Sequence, residues 1–206
     1  MENRSTLLKY TIPQLLRWRV RETGEKIALR KKDLGCWNNF SWNQYYGFVR
    51  RTGLGLKAVG FTTGEKIAII SDNIPETLFV SIGAQAVEGI SVAIYQTSLP
   101  DEIEGILNYL GVSIVFCNDQ EQVDKVAEVR DKIPLVKKVI YEDQRGMRSY
   151  QSDSWFLHIE ELYRLGDELH AAQPELFEEL VDKGKPDDVC HLCLTSGTTG
   201  LPKGAM

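Results

Sequence analysis

The chain has 206 residues, of which 43% are hydrophobic and 26% charged, enough to bury one substantial core. The net charge of −5 is uneven: residues 142–188 carry 13 acids and 5 bases, and the rest is slightly basic. That balance argues against nucleic-acid binding, which needs a concentrated basic face, and no apolar run approaches the roughly 20 residues that cross a bilayer.

The N-terminus, Met1 to Ser5, lacks the apolar core of a secretory signal, so the expectation is a soluble, cytoplasmic protein. From Leu7 to Val20 a helix is predicted, docking through Leu15, Leu16 and Trp18. Lys26–Arg30 and Trp37–Ser41 read as a hairpin joined around Asp33-Leu34-Gly35. Ser41 with Gln44 forms a capping-box pattern that opens a helix through Tyr45, Phe48, Val49, Thr52 and Leu56.

Five short β-branched runs follow: Ile67–Ile70, Ser91–Tyr95, Ser113–Cys117, Lys138–Tyr141 and Val189–Leu194. The first four begin about two dozen residues apart, the length of a βαβ unit. Asn73 and Pro75 are expected to open an apolar helix through Ile82. Pro100 and Asp101 open another, with Ile103, Ile106, Leu107 and Leu110 on one face and Gly111 closing it. Val123, Val126, Ala127 and Ile133 form a similar stripe. Right-handed crossovers would stack these units into a layered α/β fold, a mainly parallel sheet flanked by helices. Gln144–Asp153 is expected to be a loop, Ser154–Leu169 and Gln173–Val181 two acidic helices, and the whole of 142–188 a solvated insertion.

Among the four cysteines, Cys190 and Cys193 have zinc-like spacing but no second pair, and three-residue spacing on a strand turns their thiols apart. Cys36 and Cys117, like these two, are read as small apolar residues. His191 is expected to be packed or hydrogen-bonded, and His158 and His170 have no partner at ligand spacing. The tryptophans at 18, 37, 42 and 155 are read as core anchors. Tyr95 and Thr97 suit either a pocket wall or ordinary turn packing.

The densest signal is Thr195-Ser196-Gly197-Thr198-Thr199-Gly200-Leu201-Pro202-Lys203-Gly204, directly after the last β-like run. Glycines let the backbone approach a ligand closely, and successive N–H groups, hydroxyls and an ammonium can surround a polyphosphate. The same residue types also suit a ligand-free turn. A Walker loop is excluded because no Ser or Thr follows Lys203, and no G-x-G-x-x-G is present.

This ten-residue segment resembles the phosphate-loop signature of the adenylate-forming synthetases: acyl-CoA synthetases, peptide-synthetase adenylation domains and luciferases. Gly64–Glu76 is similar to that family's early strand-turn-helix, which commonly has Asp where Glu65 stands. Ser91–Leu107 resembles the long-chain fatty acyl-CoA synthetase branch in its I-Y-x-T turn and E-I-x-x-I-L helix. The resemblance implies that residues 1–206 are the N-terminal portion of an AMP-binding domain, with the C-terminal domain absent. It implies nucleotide contacts from Thr195, Ser196, Gly197, Thr198, Thr199, Gly200 and Lys203, with ATP, Mg2+ and CoA as the cofactor and co-substrates and a fatty acid as the acid activated. No catalytic set and no metal site is complete within these residues, so the chain alone is expected to be inactive. Amino-acid or aryl-acid adenylation, or a non-catalytic ATP-binding module, are the other classes to which the loop would belong. A lipid substrate allows peripheral membrane association, and an exposed apolar patch would favour a homodimer.

Overall fold

The computed structural model describes residues 9–195 and 203–205, the backbone alone for Thr195 and the last three. A two-stranded antiparallel hairpin, β1 (Ile27–Asp33) and β2 (Cys36–Ser41), precedes the main sheet. Its tight turn places Leu34 and Gly35 both at positive φ, 44° and 84°, the pairing that matches the twist of flanking strands. The main sheet contains β3 (Lys66–Ile70), β4 (Ile90–Ile94), β5 (Val112–Cys117), β6 (Lys138–Tyr141), β7 (Phe156–His158), β8 (His191–Thr195) and β9 (Lys203–Ala205). Their order is β7-β6-β5-β3-β4-β8-β9, parallel throughout except for β9, so the layered, mainly parallel α/β expectation is met.

Strand alternation divides the core into two layers. Ile67, Ile69, Ile114, Phe116 and Ile140 face one side. There they meet helices α1 (Ile12–Thr23), α2 (Trp42–Ala58), α3 (Pro75–Ala86), α6 (Ile159–Ala172) and α7 (Leu176–Lys183). Ala68, Ile70, Val92, Val115 and Val139 face the other side, covered by α4 (Pro100–Leu110) and α5 (Gln120–Glu128). Side chains two apart on a strand share a face, so near-continuous apolar runs are what a sheet covered on both sides requires.

Local chemistry explains most element ends. Ser41 caps α2 reciprocally: its hydroxyl accepts from the Gln44 N–H (3.2 Å), and Gln44 Oε1 accepts from the Ser41 N–H (2.9 Å). Gly111 closes α4 at φ 63°, a left-handed cap that a Cβ would disfavour. Helix α1 begins at Ile12, later than expected, because Thr11 and Gln14 form a capping box and Pro13 sits in the first turn, where its missing N–H costs no intrahelical bond. Leu7 lies outside the described residues. The cap of α3 is Ile74 and not Asn73, with Pro75 in the first turn. Helix α5 ends at Glu128, and Ile133 reaches the core from beyond a 3-10 turn at Arg130–Lys132.

The acidic stretch departs most from expectation. Its first expected helix contains an unforeseen strand, β7, which pairs with β6 through Val139–Phe156, Ile140–Leu157 and Tyr141–His158. It is not a solvated addition: Trp155, Ile159, Leu162, Tyr163, Phe177, Leu180 and Val181 are buried. Helices α2 and α6 touch through reciprocal glycines. A Cβ on Gly55 would overlap the Leu162 carbonyl, and one on Gly166 would lie 2.8 Å from the Arg51 carbonyl carbon. Arg51 continues the contact, donating to Asp167 (2.8 Å) while stacking on the Tyr163 ring. Charge and core thus share α6 and α7: Glu160, Glu168 and Glu179 are exposed, while Leu162, Tyr163 and Leu180 are buried.

Candidate functional site

In a parallel α/β sheet, ligands bind outside the carboxyl ends of the strands, near the point where connections change direction. Here that point lies between β3 and β5: the chain leaves β3 toward β4 and leaves β5 toward β6. Three polar residues follow the strand ends. Asp72 follows β3, Gln96 follows β4 and Asn118 follows β5. The Gln96 amide joins them, 2.9 Å from both the backbone nitrogen and Oδ1 of Asp72, and 2.8 Å from Asn118 Oδ1. Lys125 Nζ donates to the Gln96 carbonyl oxygen at 2.6 Å and to Glu121 at 2.8 Å. Thr77 Oγ1 donates to the Asp72 carbonyl oxygen and lies 2.9 Å from Ser71 Oγ.

A cleft of about 490 Å³ opens beside this cluster, between Ser71, Asp72, Tyr95, Thr97, Cys193 and Leu194. Tyr95 and Thr97 thus stand on the wall of a cavity, with Tyr95 75% exposed. A second cleft of about 340 Å³ lies at the opposite ends of the strands, among Tyr10, Gln85, Leu180 and Cys190, and contains none of the anticipated contact residues.

The glycine- and hydroxyl-rich segment leaves β8 on the same side as the first cleft. Its second half is a feature that sequence reading did not anticipate: the chain returns as β9, antiparallel to β8, with Thr195 opposite Lys203, Leu194 opposite Gly204 and Cys193 opposite Ala205. Thr195 and Lys203 therefore close a hairpin, with Cα atoms about 5 Å apart by antiparallel geometry. The other anticipated contacts, Ser196, Gly197, Thr198, Thr199 and Gly200, lie outside the described residues.

Beneath the hairpin, Ser91 on β4 faces His191 on β8, with Oγ and Nδ1 2.8 Å apart. Ser81 Oγ and Gln85 Nε2 both donate to Ser91 Oγ, at 2.9 and 3.3 Å. The Ser91 hydrogen is then directed to His191 Nδ1, nearer than its other acceptor, the Cys190 carbonyl oxygen at 3.3 Å. Partial burial lowers the imidazole pKa below 6.5, which favours this neutral form. Ser91 is fully buried, so the pair is not an exposed nucleophile with its base.

The remaining candidates resolve simply. Cys117 is buried and its thiol pushed up by desolvation, whereas Cys36 and Cys193 are exposed, against the small-apolar expectation. Trp155 is a buried core anchor, its Nε1–H donating to the Val136 carbonyl oxygen at 2.9 Å, and Trp42 packs half-buried against the core, stacked on Tyr45; Trp37, by contrast, is 62% exposed. His158 caps α6 and lies 2.9 Å from the Glu142 carbonyl oxygen. Among the described residues, no group of three His, Cys, Asp or Glu side chains is placed to hold a metal ion. Nothing in the sequence alone joins Asp72, Gln96 and Asn118 into a set. Their signal is positional, a polar residue one or two places after a β-branched run.

Comparison with known proteins bears on the family and the fold. A family model described as "AMP-binding enzyme" matches residues 16–206. The chain is 32% identical over 197 residues to bovine (Bos taurus) long-chain-fatty-acid–CoA ligase ACSBG1, covering 95% of this chain and 26% of that protein. The human enzyme of the same name is 29% identical, with 97% and 27% covered. The chain thus spans about a quarter of the length of these curated relatives. Among solved structures, an anthranilate CoA ligase, AuaEII, in complex with anthranoyl-AMP superimposes with a TM-score of 0.72 at 21% identity, covering 98% of this chain and 36% of that one. The N-terminal domain of FACL13 from Mycobacterium tuberculosis gives 0.65 at 18% identity, with 95% and 43% covered. At these identities the structural likenesses establish the fold.

Proposed function

We propose that this chain, which belongs to the AMP-binding enzyme family, supplies the triphosphate-gripping part of an acid–thiol ligase that activates a long-chain fatty acid. The observation that carries the reading is the hairpin closed by Thr195 and Lys203 at the carboxyl end of the parallel sheet. In the proposed reaction a carboxylate oxygen attacks the α-phosphorus of ATP, pyrophosphate leaves, and the thiol of CoA then displaces AMP from the acyl-adenylate. The hairpin's part is electrostatic. Backbone N–H groups and hydroxyls from Thr195 to Gly200, with the Lys203 ammonium, hold the β- and γ-phosphates and neutralise charge on the leaving pyrophosphate. Mg2+ would ride on the phosphate oxygens, as it commonly does with few protein ligands.

Long-chain specificity is supported by relatedness to ACSBG1 and by the Ser91–Leu107 pattern. In this reading residues 1–206 are the N-terminal portion of the AMP-binding domain of a cytoplasmic ligase. Among the described residues no helix is long and apolar enough to cross a membrane.

The test is exchange of labelled pyrophosphate into ATP, driven by fatty acid, using the full-length polypeptide and its Lys203→Ala variant. Loss of one charge-assisted phosphate contact should slow exchange by about tenfold to a hundredfold. Parental exchange by Lys203→Ala would overturn the phosphate role. A preference for aryl or amino acids in a substrate panel would overturn the fatty-acid assignment and leave the phosphate role intact.

A further inference from the structure

We propose that His191 is a positioning residue for the phosphate hairpin, holding β8 in register against β4 through Ser91. The inference rests on the phosphate reading above for its functional half and on the sheet geometry for the rest. β8 joins the sheet by a short parallel ladder, Ser91 with His191 and Val92 with Leu192, whereas β3 and β4 share five paired positions. A ladder that short specifies register weakly. A two-residue slip preserves the inward and outward faces of the strand, so face alternation alone does not prevent it. Such a slip would place Cys193, not His191, opposite Ser91.

Side-chain chemistry supplies what the ladder lacks. The Ser91 hydroxyl is fully buried and reached on one side by Ser81 and Gln85, leaving its hydrogen for the β8 side, where His191 Nδ1 at 2.8 Å is nearer than the Cys190 carbonyl oxygen at 3.3 Å. Only with His191 opposite is an imidazole nitrogen 2.8 Å away. From His191 the strand runs straight to Thr195, about 13 Å along, so the register fixed at one end sets where the hairpin begins at the other. Because Ser91 keeps its bonds to Ser81 and Gln85, loss of the imidazole does not strand a buried hydroxyl. The fold should then survive while the placement of the hairpin suffers.

The experiment compares His191→Leu, which fills the space without an acceptor, and His191→Asn, whose Oδ1 can stand where Nδ1 stands, in this chain. Backbone hydrogen exchange is read at residues 192–195 and 203–205, with β3 and β5 as internal reference, and MgATP affinity is measured by calorimetry on the full-length polypeptide carrying the same substitutions. The expected result is exchange about fivefold faster at the hairpin alone in His191→Leu, MgATP binding weaker by a similar factor, and recovery of both in His191→Asn. Hairpin exchange unchanged in His191→Leu would overturn the inference. Faster exchange with unaltered MgATP affinity would overturn its functional half. A parental full-length polypeptide that does not bind MgATP at all would sink the phosphate reading, while selective hairpin exchange would still uphold the register role.

Discussion

The close crossing of α2 and α6 invites a direct test, because two glycines permit it and a single methyl group forbids it. In Gly166→Ala the new Cβ would stand 2.8 Å from the Arg51 carbonyl carbon and closer still to its oxygen. Carbon atoms in contact prefer about 3.5 Å, and the oxygen is the nearer atom, so the helices must part by more than about 0.7 Å. Both sides of the clash offer backbone, and no flexible side chain can swing away. Parting also loosens the Arg51–Asp167 bond of 2.8 Å and the contact of Phe48 with Tyr163. Overpacking of this kind costs about 3 kcal/mol, and the better helix propensity of alanine offsets about 1 of it. The net loss is then about 2 kcal/mol, or a fall in Tm of about 4–8 °C for a domain of this size. Urea denaturation followed by circular dichroism should show a lower midpoint at unchanged m-value. A Gly166→Ala midpoint equal to the parent's would refute the claim that the glycines set the interhelical distance.

Other outcomes follow from the same structure. On α4, a Cβ added at Gly105 would meet no other atom within 4 Å, so Gly105→Ala should raise stability by about 0.5–1 kcal/mol in the same assay. Under native conditions an aromatic disulfide reagent should label Cys36 and Cys193 rapidly, and Cys117 only after unfolding; mass mapping of the labelled sites checks this. Because desolvation lowers the folded pKa of His191 below its ordinary 6.5, the unfolded chain takes up that proton first as pH falls. The associated stability is present above pH 6.5 and is lost as pH drops through the folded value. Denaturation midpoints collected downward from pH 7 should therefore slope less in His191→Leu than in the parent.

The layered sheet was legible because β3, β4, β5 and β6 are covered on both faces, so their residues form unbroken apolar runs at βαβ spacing. Helices α2 and α4 could be bounded from sequence because Ser41, Gln44 and Gly111 act locally. Strand β7 escaped notice for the opposite reason. Phe156-Leu157-His158 is too short to show a period, and it passes into α6 without a turn residue. The acidic stretch looked like a solvated addition because charge counts ignore periodicity: Glu160, Glu161 and Glu168 share a helix with Leu162 and Tyr163, which face inward. At the candidate site, the glycine- and hydroxyl-rich segment announced itself by composition, yet the return strand β9 did not, since Lys203-Gly204-Ala205 has no strand propensity and pairs only because β8 lies beside it. Asp72, Gln96 and Asn118 each look like ordinary turn residues until the sheet order brings them together.

The acidic segment spans the parallel array from one margin toward the other. β7 completes one margin, and the chain must then cross five strand spacings, about 24 Å, before β8 can pair with β4 on the other. During synthesis, Ser91 waits for a partner 100 residues away. Until it arrives, β4 presents an open parallel edge able to template foreign strands. The β8–β9 hairpin is thus also the piece that covers β4 and leaves a short strand at the margin, which ties completion of this end of the sheet to protection from aggregation.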